Sequence, residues 1–174
     1  VLCNVSNFYF DLAYTKDPQE PGLYWAGFVD TKHAWTFAPY DMFKTTDKNA
    51  MGQKLDLESA GAGDKGMAIV EHLKPENRKN IFGVEAQVWS ETIKGREMLE
   101  YYMLPKLIGF SESAWAAERN WETIENRVQR ENYIKQEWNV YANMLAKKEL
   151  PRLSYLNNGY NYRIPSPGAI IEGG

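Results

Sequence analysis

Hydrophobic and polar positions alternate unevenly along this chain, and the changes in period mark its elements. Residues 1–11, VLCNVSNFYFD, mix β-branched and aromatic side chains with no Pro or Gly, which predicts a strand ending at Asp11. Asp17-Pro18 and Pro21-Gly22 then mark a loop. Asp30 offers an N-cap for a short helix over about Thr31 to Phe37, and Pro39 ends it because proline disfavours a helical residue before it. From Asp41 to Asn80 the chain is polar and weakly patterned, with Ala60 to Gly66 as its most flexible part. Ile81 to Trp89 (IFGVEAQVW) predicts a second strand, short and bounded by polar sequence.

Helical periodicity dominates the remainder. Met98, Leu99, Tyr102, Met103 and Leu107 fall on one face of a helix over about Arg96 to Ile108, which Pro105 should kink or divide. The longest helix is predicted from about Trp121 to Lys148, with Asn120 as N-cap and Glu122 and Glu125 in its positive first turn. Ile124, Val128, Trp138, Tyr141 and Leu145 mark its buried stripe, Lys147 and Lys148 suit its negative end, and Pro151 should stop it. The order strand, loop, helix, loop, strand, helix is that of an α/β protein. Two parallel strands do not make a stable sheet by themselves, so part of the architecture is expected to lie outside this chain.

Composition narrows the function classes. The 174 residues are 44 % hydrophobic and 25 % charged, enough for one folded domain with a core. A formal charge of -3 argues against a nucleic-acid binder. No run approaches about 18 apolar residues, so no membrane-spanning helix is expected. Cys3 is the only cysteine, which excludes a disulfide scaffold and leaves the redox compartment open. The 6 Trp, 11 Tyr and 7 Phe are many, and aromatic rings offer flat faces to sugars as well as bulk to cores. Val1-Leu2-Cys3 starts inside an apolar run without a leader, while Pro165 to Gly168 and Gly173-Gly174 read as a linker cut short.

Candidate chemistry gathers at the two predicted strand ends. Residues i and i+2 of a strand share a face about 6–7 Å apart, so Tyr9 would stand beside Asp11, and Trp89 beside Glu91. In parallel α/β architectures, strand C-terminal ends carry the ligand site. Aromatic walls, a hydroxyl and two carboxylates suit a sugar, with its apolar C–H faces and many hydroxyls. Trp25, in a Pro-Gly loop, is a further ligand candidate, whereas most tryptophans of the C-terminal half fit helix packing. His33 and His72 lack metal-ligand spacing, and no metal or cofactor is expected. The glycines of residues 60–66 match no phosphate-binding loop, and Ser90 stands in no GxSxG elbow. Cys3 reads as a small buried hydrophobe, the Met98 to Leu107 stripe as core, and Glu112, Glu118 and the charged face of the last helix as solvated surface.

Asn7 to Asp11 (NFYFD), Tyr24 to Thr31 (YWAGFVDT) and Gly83 to Glu91 (GVEAQVWSE) resemble the closing portion of glycoside hydrolase family 20, the β-N-acetylhexosaminidases. Glu100 to Leu107 (EYYMLPKL) and Ser113 to Ala116 (SAWA) are similar to that family's last barrel helix, so the resemblance runs over about residues 1–155. It implies a (β/α)₈ TIM barrel of which this chain is the C-terminal portion, supplying strands 7 and 8 with their helices. Residues 1–158 would belong to the catalytic barrel and 159–174 to a Pro/Gly linker leading out of it. The implied activity removes terminal N-acetylglucosamine or N-acetylgalactosamine with retention, the substrate's own acetamido oxygen acting as nucleophile. By resemblance Tyr9 hydrogen-bonds that oxygen, Trp89 walls the acetamido pocket, Asp11 and Glu91 accept from sugar hydroxyls, and Trp25 stacks on the next sugar.

The sequence departs from the family in one respect. The catalytic pair is an adjacent Asp-Glu, and no Asp-Glu dipeptide occurs in these 174 residues. The reading is therefore a part of a β-N-acetylhexosaminidase, inactive alone, whose partner is the missing N-terminal part of the same enzyme and whose location, by resemblance, is periplasmic or secreted. A non-catalytic glycan-binding module is the alternative. A third reading is a helical interaction domain that uses residues 96–148, whose apolar stripes would invite self-association if left uncovered.

Overall fold

The computed structural model describes residues 1–45 and 73–165; the Ala60–Gly66 segment, His72 and the linker residues 166–174 lie outside the described residues. The segments predicted as strands run side by side in parallel but touch only at separate points, Leu2 with Val84 and Tyr9 with Gln87. At the first, Leu2 N donates to Gly83 O (2.9 Å) and Glu85 N to Leu2 O (2.8 Å). At the second, Gln87 N donates to Phe8 O (2.9 Å) and Phe10 N to Gln87 O (2.8 Å). Between these bridges one segment spends four more residues than the other. A ladder cannot absorb that surplus, because paired strands advance together. The surplus coils instead into α1 (Val5–Phe8), whose N-cap Asn4 accepts from Ser6 N. The expectation of a continuous strand over residues 1–11 is corrected accordingly, and residues 81–89 are extended with isolated bridges only.

Helix α2 (Thr31–Trp35) forms as its cap predicts, the Asp30 carboxylate accepting from His33 N at 2.8 Å. Pro105 divides the next helical stretch into α3 (Arg96–Met103) and α4 (Lys106–Trp115). The long helix differs from its prediction at both ends. Asn120–Thr123 is a separate 3₁₀ turn, and α5 (Arg127–Met144) starts after Asn126, whose side chain accepts from Gln129 N. Asn126 wins because its amide reaches the third helical N–H, while Asn120 lies inside a turn whose Glu122 is already paired with Arg119 (2.7 Å). Pro151 does not stop the chain. A π turn over Leu145–Glu149 widens the coil just before it, and α6 (Leu150–Tyr155) follows with the proline in its first turn, where no N–H is needed.

Three apolar clusters hold these elements. Phe10, Leu12, Ala26, Val29 and Ala34 pack with Leu107 and Phe110 of α4. Trp35 meets Trp138 and Tyr141 of α5 with ring centroids 5.4 Å away in each case. Leu145, Leu150 and Leu153 close against Leu104 and Ile108. Two arginines, Arg119 half-buried and Arg130 buried, tie loop carbonyls to this half of the chain. Arg119 lies over the rings of Trp35 and Trp121 and donates to the carbonyls of Trp35 and Phe37. Arg130 donates to the carbonyls of Lys44, Ile124 and Glu125, so the charged face of the last helix is not wholly solvated. Val128 and Trp115 are exposed, against the expectation that they pack. Of the Met98 to Leu107 stripe only Tyr102 is fully buried. Leu99, Met103 and Leu107 instead line an apolar groove of about 440 Å³ with Leu153 and Leu156.

Close approach of α2 and α4 rests on Gly109, where a Cβ would meet Thr31 O at 2.6 Å and Trp35 N at 3.1 Å. Both neighbours are backbone and cannot swing aside. Alanine at Gly109 would gain about 1 kcal/mol of helix propensity, but overpacking costs about 1–3 kcal/mol. Gly109→Ala is therefore expected to lower stability in urea unfolding, and Gly109→Val to lower it further; an unchanged or higher midpoint for Gly109→Ala would refute the tight crossing.

Candidate functional site

The chain leaves α1 into a turn, Leu12 N donating to Tyr9 O at 3.3 Å, so strand alternation does not govern Tyr9 and Asp11. They meet through Trp89 instead. The Tyr9 ring lies 6.3 Å from the Trp89 ring, and Asp11 Oδ1 accepts from Trp89 N at 3.4 Å. Trp25 closes the other side, its ring edge-on to Tyr9 at 6.2 Å and 77°. Trp25 and Trp89 are 45 % and 48 % exposed, which leaves each with a ring surface open to a ligand. Three of the predicted aromatics thus gather in one place, with the Asp11 carboxylate buried behind the Trp89 main chain and Glu91 exposed two residues on.

The loop bearing Trp25 is fastened at several points. Gly22 has φ +129° and crosses the backbone of residues 11–13 so closely that a Cβ would lie 2.7 Å from Ala13 N. Ala13 N donates to Leu23 O (2.7 Å) and Leu23 N to Asp11 O (2.8 Å), tying the loop to the turn that carries Asp11. Glu20 accepts from Arg163 (3.0 Å) and from the Tyr101 hydroxyl (2.7 Å), joining the same loop to α3 and to the last described segment. These bonds hold the Glu20 carboxyl below its ordinary pKa despite burial, which acts to raise it.

Asp11 is 1 % exposed, and its Oδ2 is buried without a hydrogen-bond partner among the described residues. Burial pushes its pKa up, with Glu91 adding to the rise; its own N–H, the Trp89 N–H and the Lys106 charge pull it down. The Asp11 carboxylate is thus a buried acceptor bonded to the Trp89 main chain, with its second oxygen unpaired among the described residues.

Lys106 was missed by the sequence reasoning. It is wholly buried at the start of α4, its ammonium donating to Phe10 O (2.8 Å) and Leu12 O (2.7 Å) and lying 3.9 Å from the Tyr14 ring centroid. Burial lowers its pKa to about 7, opposed by the negative charges of Asp11, Asp30 and Glu20. No local signal marks it, because lysine is ordinarily an exposed residue.

The remaining candidates fall away. His33 Nδ1 lies 2.7 Å from Asp30 Oδ1 and serves the cap of α2. Among the described residues no group of three or more His, Cys, Asp and Glu is placed to hold a metal ion. No described helix is long and apolar enough to cross a membrane. Cys3 is exposed, correcting the expectation of a buried thiol: the residues that follow it enter α1, and its side chain is left outside the core.

Comparison with known proteins gives a consistent result. The model of the glycosyl hydrolase family 20 catalytic domain matches residues 1–118. An N,N'-diacetylchitobiase of Vibrio harveyi is 30 % identical over 183 residues, which cover all of this chain and 19 % of the relative. A beta-hexosaminidase of Vibrio vulnificus is 31 % identical over 185 residues, covering 95 % of this chain and 20 % of the relative. The chain therefore spans about a fifth of the length of these curated relatives. The solved GH20 beta-N-acetylhexosaminidase of Streptomyces coelicolor A3(2) superimposes with a TM-score of 0.56 at 21 % identity, over 98 % of this chain and 24 % of that one. At that identity the likeness is one of fold, and the fold is that of an α/β catalytic domain.

Partial desolvation, with the Glu85 charge beside it, pushes the Cys3 thiol up to about 11. A raised thiol pKa leaves little thiolate near neutrality, so at pH 8 Cys3 should react with iodoacetamide about a hundredfold more slowly than a free cysteine. The rate should climb about tenfold per pH unit until about pH 11. Alkylation at the free-cysteine rate at pH 8, followed by mass spectrometry, would contradict this.

Proposed function

The chain belongs to glycosyl hydrolase family 20, and from that premise we propose that it is the sugar-binding closing part of a β-N-acetylhexosaminidase. Residues 1–158 supply strands 7 and 8 of the (β/α)₈ barrel with their helices, and residues 159–174 lead out of it. The whole enzyme releases terminal non-reducing N-acetylhexosamine from chitooligosaccharides or glycoconjugates by substrate-assisted, retaining catalysis. Family 20 is an exception to the two-carboxylate scheme, because the acetamido oxygen of the substrate itself attacks the anomeric carbon.

The observation that carries this reading is the meeting of Tyr9 with the half-open rings of Trp25 and Trp89, the buried Asp11 carboxylate bonded to the Trp89 main chain beside them. Each chemical need of the reaction has a matching side chain there. The attacking oxygen gathers charge as the bond forms, and the Tyr9 hydroxyl donates to it. The acetamido group must be held in attack geometry away from water, and the Trp89 ring is a rigid apolar wall for it. Hydroxyls of the same sugar donate to Asp11 Oδ2, which has no other partner among the described residues, and to Glu91 at the margin. The outer ring of Trp25 stacks on the leaving sugar. The general acid that protonates the leaving oxygen, with the Asp that orients the acetamido nitrogen, belongs to the part of the enzyme outside this chain, since no Asp-Glu dipeptide occurs within it. Other saccharide-binding walls come from the same missing part.

Purified alone, the 174-residue chain is expected to leave a chromogenic N-acetylglucosaminide uncleaved; turnover at an ordinary enzymatic rate would defeat the fragment reading. Saturable quenching of tryptophan fluorescence by N-acetylglucosamine oligomers without hydrolysis would favour the glycan-binding module instead. In the whole enzyme, Tyr9→Phe should lower kcat by about 10²–10³, the loss typical of one donor to a developing negative oxygen. Trp25→Ala should raise KM for an oligosaccharide about tenfold (about 1.4 kcal/mol) and leave a small aryl glycoside almost unaffected.

A further inference from the structure

We propose that Lys106 is a positioning residue of the sugar site: its side chain ties down the peptide carbonyls on either side of Asp11 and supplies the positive charge that faces this buried carboxylate. The proposal rests on the reading of Asp11 as a sugar-hydroxyl acceptor and deepens it. Asp11 sits in a four-residue turn, and its buried carboxylate keeps one oxygen without a partner among the described residues. Leu23 bonds to Asp11 O and Ala13 N on one side of this turn, and Phe10 O and Leu12 O both accept from Lys106 Nζ, at 2.8 and 2.7 Å. The anchor is itself fixed, because Lys106 begins α4, and α4 is locked to α2 through Gly109 and through the Ser113 hydroxyl on Ala34 O and Trp35 O.

Charge adds to geometry. The groups that face Lys106 are Asp11 from the turn, Asp30 from the cap of α2, Glu20 from the Trp25 loop, Arg163 from the last described segment and the Tyr14 ring. Those that face Asp11 are Glu91 and Lys106. Lys106 is thus the cation that acts, beside the Asp11 and Trp89 N–H groups, against the burial of Asp11 and the repulsion from Glu91. Its two donated hydrogen bonds survive loss of a proton, because a neutral amine still has two N–H groups. The positioning role therefore spans the whole pH range, and the charge role covers the acid side of about pH 7, where a carboxyl titrates.

The test uses the intact enzyme with ¹³C-labelled aspartate, the Asp11 carboxyl signal being assigned by its loss in Asp11→Asn. Lys106→Met should move the Asp11 titration midpoint upward, because the Lys106 charge acts to lower it. The acid limb of N-acetylglucosamine affinity, measured by calorimetry, should move with it, and affinity at neutral pH should fall about tenfold. Lys106→Arg, which keeps charge and donors, should restore the midpoint. The unsubstituted enzyme gives a second measurement that needs no stable variant: the Asp11 signal should show a further inflection near pH 7 as Lys106 loses its proton. A midpoint unmoved in Lys106→Met overturns the proposal, and so does a missing neutral inflection if that variant does not fold. If the unsubstituted enzyme binds no sugar at all, the site assignment fails, while the Asp11 midpoint still decides the role of Lys106.

Discussion

A wholly buried ammonium joins the two parts of this structure that matter most. Taking an amine out of water costs several kcal/mol unless it is partnered. Lys106 recovers part of that cost through two short bonds to Phe10 O and Leu12 O and through the face of Tyr14, and the remainder lowers its pKa to about 7. The requirement fixes the geometry around it. The turn carrying Tyr9 and Asp11 cannot leave α4 without stranding the ammonium, and α4 cannot leave α2 without opening the contact at Gly109. Turn, α2 and α4 therefore behave as one rigid block, and the candidate site is a surface of that block.

The site's organisation follows from how other segments attach. Residues 83–87 dock by four main-chain bonds, two to Leu2 and two to Phe8 and Phe10, which puts Trp89 against Tyr9 and its N–H on Asp11. The loop of residues 17–25 attaches through Leu23 and Glu20, which puts Trp25 on the opposite side. Neither tryptophan is buried, so their fastening comes from backbone bonds and ion pairs near them rather than from core packing. Rings held this way keep a face available to ligand at little entropic cost on binding.

The second half of the chain serves as support. Trp35 carries the aromatic cluster that seats α5, and Arg119 ties the end of α2 to the 3₁₀ turn before it by bonds to two carbonyls and by stacking on two indoles. The groove between α3, α4 and α6 leaves apolar side chains such as Leu99 and Leu156 partly open. Such a surface accords with a chain that spans about a fifth of its relatives' length.

Local chemistry was readable from the sequence wherever the decision is local. Asp30 as the cap of α2 and Pro105 as the divider of α3 from α4 could be named without coordinates, and the five candidate site residues were put forward on their motifs alone. What needed the tertiary structure was set by partners far away in the chain. Residues 5–8 look like strand by composition, yet they coil because residues 84–87 offer too few positions to pair with. Asn126 displaces Asn120 as the cap of α5 because the turn before it is spent on Arg119 and Trp121. Lys106 shows the limit most plainly: a lysine in sequence is a surface residue, and only the folded arrangement, with two carbonyls and a ring converging from residues about a hundred positions away, provides partners for its amine inside the protein.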